Sequence, residues 1–370
     1  MRIGVPKETK HQEDRVGLTP QSVGQLVQSG HHLLVEHDAG KASGFTDQNY
    51  QQVGALICYD VEEIFSDAQL IIKIKEPQAT ERAQLHSDQI LFTYLHLAAD
   101  RTQTEELLAC GVTCIAYETV TDSQQRLPLL QPMSEIAGRL SIQAGAMSLE
   151  RLHSGRGVLL SGIAGVPAAK VVIVGGGVVG SNAAMIALGM GAQVYVLDKD
   201  IHRLRQLEQH YHGRVQTAYA DPHTLKQVLS DADLVIGAVL NPGAKAPKVI
   251  TRELVGLMQP GAAIVDVAID QGGCCETSVP TTHQNPTYLM DGIVHYCVTN
   301  MPAAVSRTAT LALNQASLPY IQQIADLGLA ALRNNPGLKD GLNIHQGRIT
   351  DLRVAESLNI DYVDPLVLLT

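Results

Sequence analysis

Short apolar runs rich in Val, Ile and Leu recur along the chain, separated by helix-like stretches. In the first 120 residues, RIGVPKE (2–8), HLLVEH (32–37), ALICY (55–59), LIIKIKE (70–76), QILFTYLH (89–96) and TCIAYET (113–119) read as strands. Thr19 and Pro20 are suited to the N-cap and first position of a helix ending near Gly30. RTQTEELLAC (101–110) predicts another helix. Residues 133–153 read as one long helix with Ser134 as its N-cap, crossing between two domains. A second series follows: AKVVIVGGG (169–177), AQVYVLDKD (192–200), VQTAY (215–219), ADLVIGAV (232–239), AAIVDVAID (262–270) and GIVHYCV (292–298). Residues 301–329 predict one or two helices, and the tail after residue 340 carries only weak helical and loop signals. Strand–helix alternation with β-branched strands predicts an α/β chain whose parallel sheets are covered by helices on both faces.

One run breaks the pattern. LIIKIKEP (70–77) carries Lys73 and Lys75 inside an otherwise apolar segment. Alternate strand residues share a face, so both ammonium groups should point the same way. Burying an ammonium without a partner is costly. Either that face is wet, or one of the lysines has a chemical task.

Composition narrows the classes. The 370 residues carry a net charge of −10, and no basic stripe is available to pair with phosphates, which argues against a nucleic-acid partner. Aromatic residues make up only 4% and Trp is absent, so base-stacking platforms are not expected. Hydrophobic residues make up 45% and mean hydropathy is +0.05, in keeping with large buried cores. No apolar stretch is long enough to predict a membrane span, and MRIGVPKETK lacks a signal-peptide core. Cys58, Cys110, Cys114, Cys274, Cys275 and Cys297 form neither a CxxC pair nor a metal-like cluster. The expectation is a cytoplasmic, reduced protein with no metal.

GGGVVG (175–180) matches G-x-G-x-x-G through Gly175, Gly177 and Gly180. The motif is weak in isolation. Here it follows the strand-like KVVIV and opens the helix-like SNAAMIALGMG, which is the context a dinucleotide site requires. The glycines permit a tight turn and close backbone approach to a pyrophosphate at a helix N-terminus. Asp198 ends the next strand-like run, where a carboxylate can accept hydrogen bonds from ribose hydroxyls and repel a 2′-phosphate, favouring NAD over NADP. Lys199 and Arg203 nearby oppose that charge, and Asp198 could be no more than an acid at a helix N-terminus.

Ligands in open α/β sheets bind beyond the carboxyl ends of the strands. Polar residues at such ends are Lys75, His96 and Asp270, with Arg15 in the loop after the first strand. Together they suit one chemistry. Histidine is a general acid–base near neutral pH. Arginine grips a carboxylate through two hydrogen bonds. A lysine ammonium polarises a carbonyl or imine, and an aspartate stabilises a cationic intermediate. Plainer readings stand beside these: a satisfied structural His96, a solvated Arg15 among Lys7, Lys10 and Glu13, a turn-stabilising Asp270, and a Lys73 lying along an apolar surface. Chemistry does not choose between the two sets.

The ordered segments MRIGVPKETKHQEDRVGLTP, IKIKEP, LFTYLHLAA, LPLLQPMSEIAGRLS, IVGGGVVGSNAA, IGAVLNPGAKAP, VDVAIDQGGC, PTTHQNPTY and NMPAAVSRTAT resemble the bacterial L-alanine dehydrogenase family from residue 1 to about 330. That resemblance implies two Rossmann-like domains with the active cleft between them. Residues 131–304 would form the NAD-binding domain. Residues 1–130 and 305–370 would form a discontinuous catalytic, substrate-binding domain. It implies reversible, NAD-dependent oxidative deamination of L-alanine to pyruvate and ammonium by a cytoplasmic homo-hexamer of amino-acid catabolism. Arg15 and Lys75 would bind substrate, His96 would be the general acid–base, and Asp270 would assist at the nicotinamide. Lys73 would then be structural or solvated. Cofactor contacts would come from Ser134, Gly175, Gly177, Val178, Val179, Gly180, Asp198, Arg203, Ala220, Val239, Leu240, Val267, Ala268, Ile269, Asp270, Asn300 and Met301. The chain departs from the family pattern at Ala220, Val279 and Ala303. Two alternatives share parts of the pattern: the soluble NAD(H)-binding subunit of a transhydrogenase, and a non-catalytic NADH-binding regulator. A saccharopine-type relative lacks an evident second basic group here.

Overall fold

The apolar runs become two mostly parallel sheets flanked by helices. The computed structural model describes residues 1–239 and 246–369. These fall into two compact units, Met1–Met133 with Val305–Thr370, and Ser134–Ala304.

In the first unit the strands are β1 (Arg2–Val5), β2 (His32–Glu36), β3 (Leu56–Cys58), β4 (Leu70–Ile72), β5 (Ile90–Thr93) and β6 (Thr113–Ala116). They are all parallel, in the order β6-β5-β4-β1-β2-β3. β4, β5 and β6 are buried at every residue, as strands covered on both faces must be. After β3 the chain returns to the other side of β1. The β1–β4 boundary is therefore a topological switch point, where the loops at the carboxyl ends part.

The second unit is ordered likewise. Its strands are β7 (Lys170–Val174), β8 (Gln193–Asp198), β9 (Gln216–Tyr219), β10 (Leu234–Gly237), β11 (Ala263–Asp266), β12 (Thr287–Met290) and β13 (Ile293–Tyr296). The order β12-β13-β11-β10-β7-β8-β9 puts its switch point between β7 and β10. Alternate residues feed two cores. Val171, Ile173, Val194 and Val196 pack on one face, and Val172, Val174 and Leu197 on the other.

Several expectations need correction. The long helix runs Gln131–Ser148, so Ser134 lies inside its first turn rather than capping it. Pro132 is tolerated there because first-turn N–H groups have no helical partner to lose. Arg151–His153 forms a separate 3₁₀ turn. The tail contributes strands: β14 (Leu342–His345) runs antiparallel beside β6, and β15 (Arg348–Ile349) pairs back onto it. The turn between them, Gln346-Gly347, has positive φ at both residues, the geometry of a two-residue hairpin. β12 is a further antiparallel edge. Thr19 does cap the helix Pro20–Gln28, accepting from Ser22 N, and the helix Arg101–Cys110 has the expected bounds. Among the described residues no helix is long and apolar enough to cross a membrane.

Candidate active site

Four carboxyl-end loops of the first sheet carry the polar groups. β4 ends at Ile72, so strand alternation no longer governs Lys73 and Lys75. Lys73 is fully buried and donates to Glu8 at 3.1 Å and Glu81 at 2.8 Å. It is structural and not solvated. Burial would lower its pKa, but the two carboxylates outweigh that and raise it. Lys75 is half-buried, and among the described residues its ammonium has no hydrogen-bond or ion-pair partner. Desolvation, reinforced by the Arg15 charge, lowers its pKa below the ordinary lysine value.

Arg15 is only 2% exposed, which excludes the solvated reading. Its Nε and Nη2 donate to the two oxygens of Glu13, each at 2.6 Å, and Nη1 donates toward Met133 Sδ at 3.0 Å. Pairing with Glu13 outweighs burial and keeps the guanidinium charged. Glu13, grouped above with solvated charges, is itself buried.

His96 follows β5, exposed, at φ 50°. The Glu118 carboxylate, just past β6, holds that left-handed turn by accepting from His96 N at 2.6 Å and Leu95 N at 3.1 Å. It also stands 3.8 Å from His96 Nδ1. The Tyr94 ring lies parallel to the imidazole with centroids 6.0 Å apart, and its hydroxyl donates to Leu129 O at 2.6 Å. Arg15, Lys75, Tyr94, His96 and Glu118 therefore belong to one neighbourhood. The rule that found His96 could have found Glu118, because TCIAYET is also a strand end. Glu13 carried no such signal.

In the second unit the glycine motif sits at the β7–β10 switch point. Gly175 has φ +106°, and a Cβ there would lie 2.5 Å from Ala238 O. A Cβ on Gly180 would collide with the Gly175 carbonyl. At Gly177 a Cβ would meet open space, and the helix Val178–Gly189 begins there with no side-chain cap on its first N–H groups. An open cradle lined by uncapped N–H groups fits a dinucleotide pyrophosphate. Val178 is exposed and Val179 half-buried beside it. Asp198 accepts from Gly176 N at 2.6 Å, and Arg203 Nε donates to Gly176 O at 2.5 Å. The acid and the base both brace the glycine loop. Ala220 and Val239 pack against one core cluster on the same face of the sheet. Leu240 lies outside the described residues.

Val267, Ala268, Ile269 and Asp270 occupy the 3₁₀ turn Val267–Gln271 after β11, with Asp270 exposed. Asp266, unremarked in the sequence, is buried and accepts from Ala268 N, Cys274 N and Cys275 N, fixing that turn. Asn300 precedes the turn Met301–Val305, its carbonyl bonded to His283 Nε2 at 2.9 Å, and Met301 is buried. Ser134 is half-buried in its helix.

The family model "Alanine dehydrogenase/PNT, N-terminal domain" matches residues 4–137, and "Alanine dehydrogenase/PNT, C-terminal domain" matches 141–352. A curated relative from Halomonas elongata, "Alanine dehydrogenase", is 52% identical over 365 residues, covering 98% of each chain. A solved structure described as L-alanine dehydrogenase superposes with TM-score 0.94 at 50% identity, covering 97% of this chain and 99% of that one. A transhydrogenase from Sinorhizobium meliloti superposes with TM-score 0.80 at 22% identity, covering 95% and 99%, a likeness of fold alone.

Proposed function

We propose, from the premise that this chain belongs to the alanine dehydrogenase/PNT family, that it catalyses the reversible, NAD-dependent oxidative deamination of L-alanine to pyruvate and ammonium. The observation that carries the reading is a buried, permanently charged Arg15 beside a Lys75 ammonium without a contacting counter-ion, with His96 exposed in the same neighbourhood.

Residues 131–304 bind the dinucleotide, with the pyrophosphate on the Gly175–Gly180 turn and the adenine ribose on Asp198. Arg203, Ala220, Val239, Leu240, Ser134, Asn300 and Met301 complete the contacts. When bound, NAD supplies the two-electron oxidant that converts the amine to an imine.

Residues 1–130 and 305–370 bind substrate. Arg15, held by Glu13, takes the substrate carboxylate. Lys75 donates to the carbonyl oxygen of pyruvate, or lies against the nitrogen of alanine. His96 Nδ1 or Nε2 takes a proton from the water that attacks the imine carbon and returns it to the departing nitrogen. Asp270 offsets the positive charge of the imine. We place the enzyme in the cytoplasm as a homo-hexamer, a state that light scattering would check.

The test is NADH oxidation with pyruvate plus ammonium, against 2-oxobutyrate, glyoxylate and 2-oxoglutarate, with NADPH as cofactor control. Ammonium-dependent turnover of pyruvate with NADH supports the reading. Tight NADH binding without turnover of any keto acid overturns it and leaves a transhydrogenase-type or regulatory role.

A further inference from the structure

The loop that carries Arg15 belongs to no helix or strand, yet each residue from Asp14 to Thr19 has a side-chain partner on its backbone. Ser43 Oγ donates to Asp14 O at 2.8 Å. Arg15 N donates to Glu13 Oε1 at 3.2 Å. Val16 N donates to Thr310 Oγ1 at 3.3 Å. Asn314 Nδ2 donates to Gly17 O at 3.1 Å, and Asn314 Oδ1 accepts from Thr19 N at 2.7 Å. Tyr50 donates to Leu18 O at 2.8 Å.

Two of these partners come from the far end of the chain. Thr310 and Asn314 lie one turn apart on the helix Ser306–Leu327, and both are buried. A buried helix face is ordinarily apolar. This one is polar because buried backbone groups of the loop must be satisfied, and no sheet ladder does it. The hydroxyl protons can be assigned. Thr310 Oγ1 and Ser43 Oγ are 3.1 Å apart. Ser43 spends its proton on Asp14 O, so Thr310 donates to Ser43 while accepting from Val16 N. The chain of bonds Val16–Thr310–Ser43–Asp14 closes around Arg15. On the other side, a Cβ on Gly17 would lie 2.6 Å from Ile72 O, so the loop is pressed against the end of β4, next to the Lys73–Lys75 segment.

We infer that Ser43, Thr310 and Asn314 are positioning residues that hold the Arg15 loop in register with Lys75 for recognition of the substrate carboxylate. The inference rests on the reading that Arg15 binds that carboxylate. The residues touch no substrate. They act through the loop backbone, so their loss should weaken keto-acid binding while leaving dinucleotide binding intact.

Steady-state kinetics of the full chain with NADH, ammonium and pyruvate test this. Thr310→Val keeps shape and removes the hydroxyl, and should raise KM for pyruvate about fivefold, as loss of one or two hydrogen bonds predicts. KM for NADH and kcat should stay within about twofold. Thr310→Ser should rescue KM. Asn314→Ala should raise KM further; should it fail to fold, the Thr310 pair decides. In an Arg15→Lys background the Thr310→Val effect should vanish, because residues acting through one another are not additive. A lowered melting temperature with unchanged KM for pyruvate overturns the inference, as does an undiminished effect in the Arg15→Lys background. Arg15→Lys with unchanged KM for pyruvate would instead overturn the carboxylate reading itself.

Discussion

The Lys73 ammonium is fully buried between Glu8 and Glu81, whereas two residues later Lys75 has no contacting anion among the described residues. Removing one member of a buried ionic set leaves charge without compensation, so Lys73→Met should cost about 3–5 kcal/mol. The pH dependence follows from Glu8, whose pKa burial raises above the ordinary carboxyl value even with Lys73 in place. A carboxyl with a raised folded pKa binds more protons folded than unfolded, and stability falls as pH rises through that pKa. Without Lys73 that fall is larger. The melting-temperature deficit of Lys73→Met should therefore be smaller at about pH 5 than at about pH 8. A deficit independent of pH would remove the carboxylates from the account. Lys75 behaves oppositely. Its folded pKa is lowered, so its charge is lost at a pH below that of an ordinary lysine. Pyruvate affinity of the NADH complex, read by NADH fluorescence without ammonium, should fall on that alkaline limb. Lys75→Arg should flatten the limb, because a guanidinium does not titrate there. A limb that survives the substitution would assign it to another group.

At the scale of elements, the glycine turn separates binding from folding. Gly177→Ala places its methyl in open space at an ordinary φ of −66°, so the melting temperature should hold. NADH affinity should drop about tenfold or more, because the methyl enters the space left for the pyrophosphate. Gly180→Ala meets the Gly175 carbonyl, and should lower the melting temperature through overpacking worth about 1–3 kcal/mol. Thermal melts beside NADH titrations would show the contrast, and equal effects on both would contradict it. This turn was readable in the sequence because strand, glycines, helix and acid all fall within residues 170–198. The helix Arg101–Cys110 was readable for the same reason. β14 and β15 were not: LNIH alternates apolar residues with Asn343 and His345, which are buried only because the sheet closes over them, and β15 has two residues. The contacts that support the Arg15 loop were hidden by distance along the chain: Thr310 is 294 residues from Val16, and Asn314 is 295 from Thr19. Buried polar contacts of that kind are set by topology, which no local window contains.

Across the whole molecule, the two units differ in how they are assembled from the chain. Ser134–Ala304 is continuous and, among the described residues, contains all seven strands of its sheet. The helix Gln131–Ser148 belongs with it, since Gly138 packs on Val179 and Gly145 on Leu234. The other unit closes only when the C-terminal segment returns. β14 covers the edge of β6, and Ile344, Ile349 and Val354 share one core cluster with Leu91 and Cys114. A fragment of residues 131–304 should therefore fold cooperatively and bind NADH with an affinity within about tenfold of the full chain, since its cradle and both faces of its sheet are complete. Residues 1–133 should not fold, because they would expose the β6 edge and an apolar surface and leave the Arg15 loop without Thr310 and Asn314. The 131–304 fragment should show no keto-acid turnover, having lost Arg15, Lys75 and His96. Circular dichroism melts with NADH fluorescence would decide the matter. An unfolded 131–304 fragment would mean that its continuous core does not suffice for stability, and a folded 1–133 fragment would mean that the returning segment is dispensable to the sheet it completes.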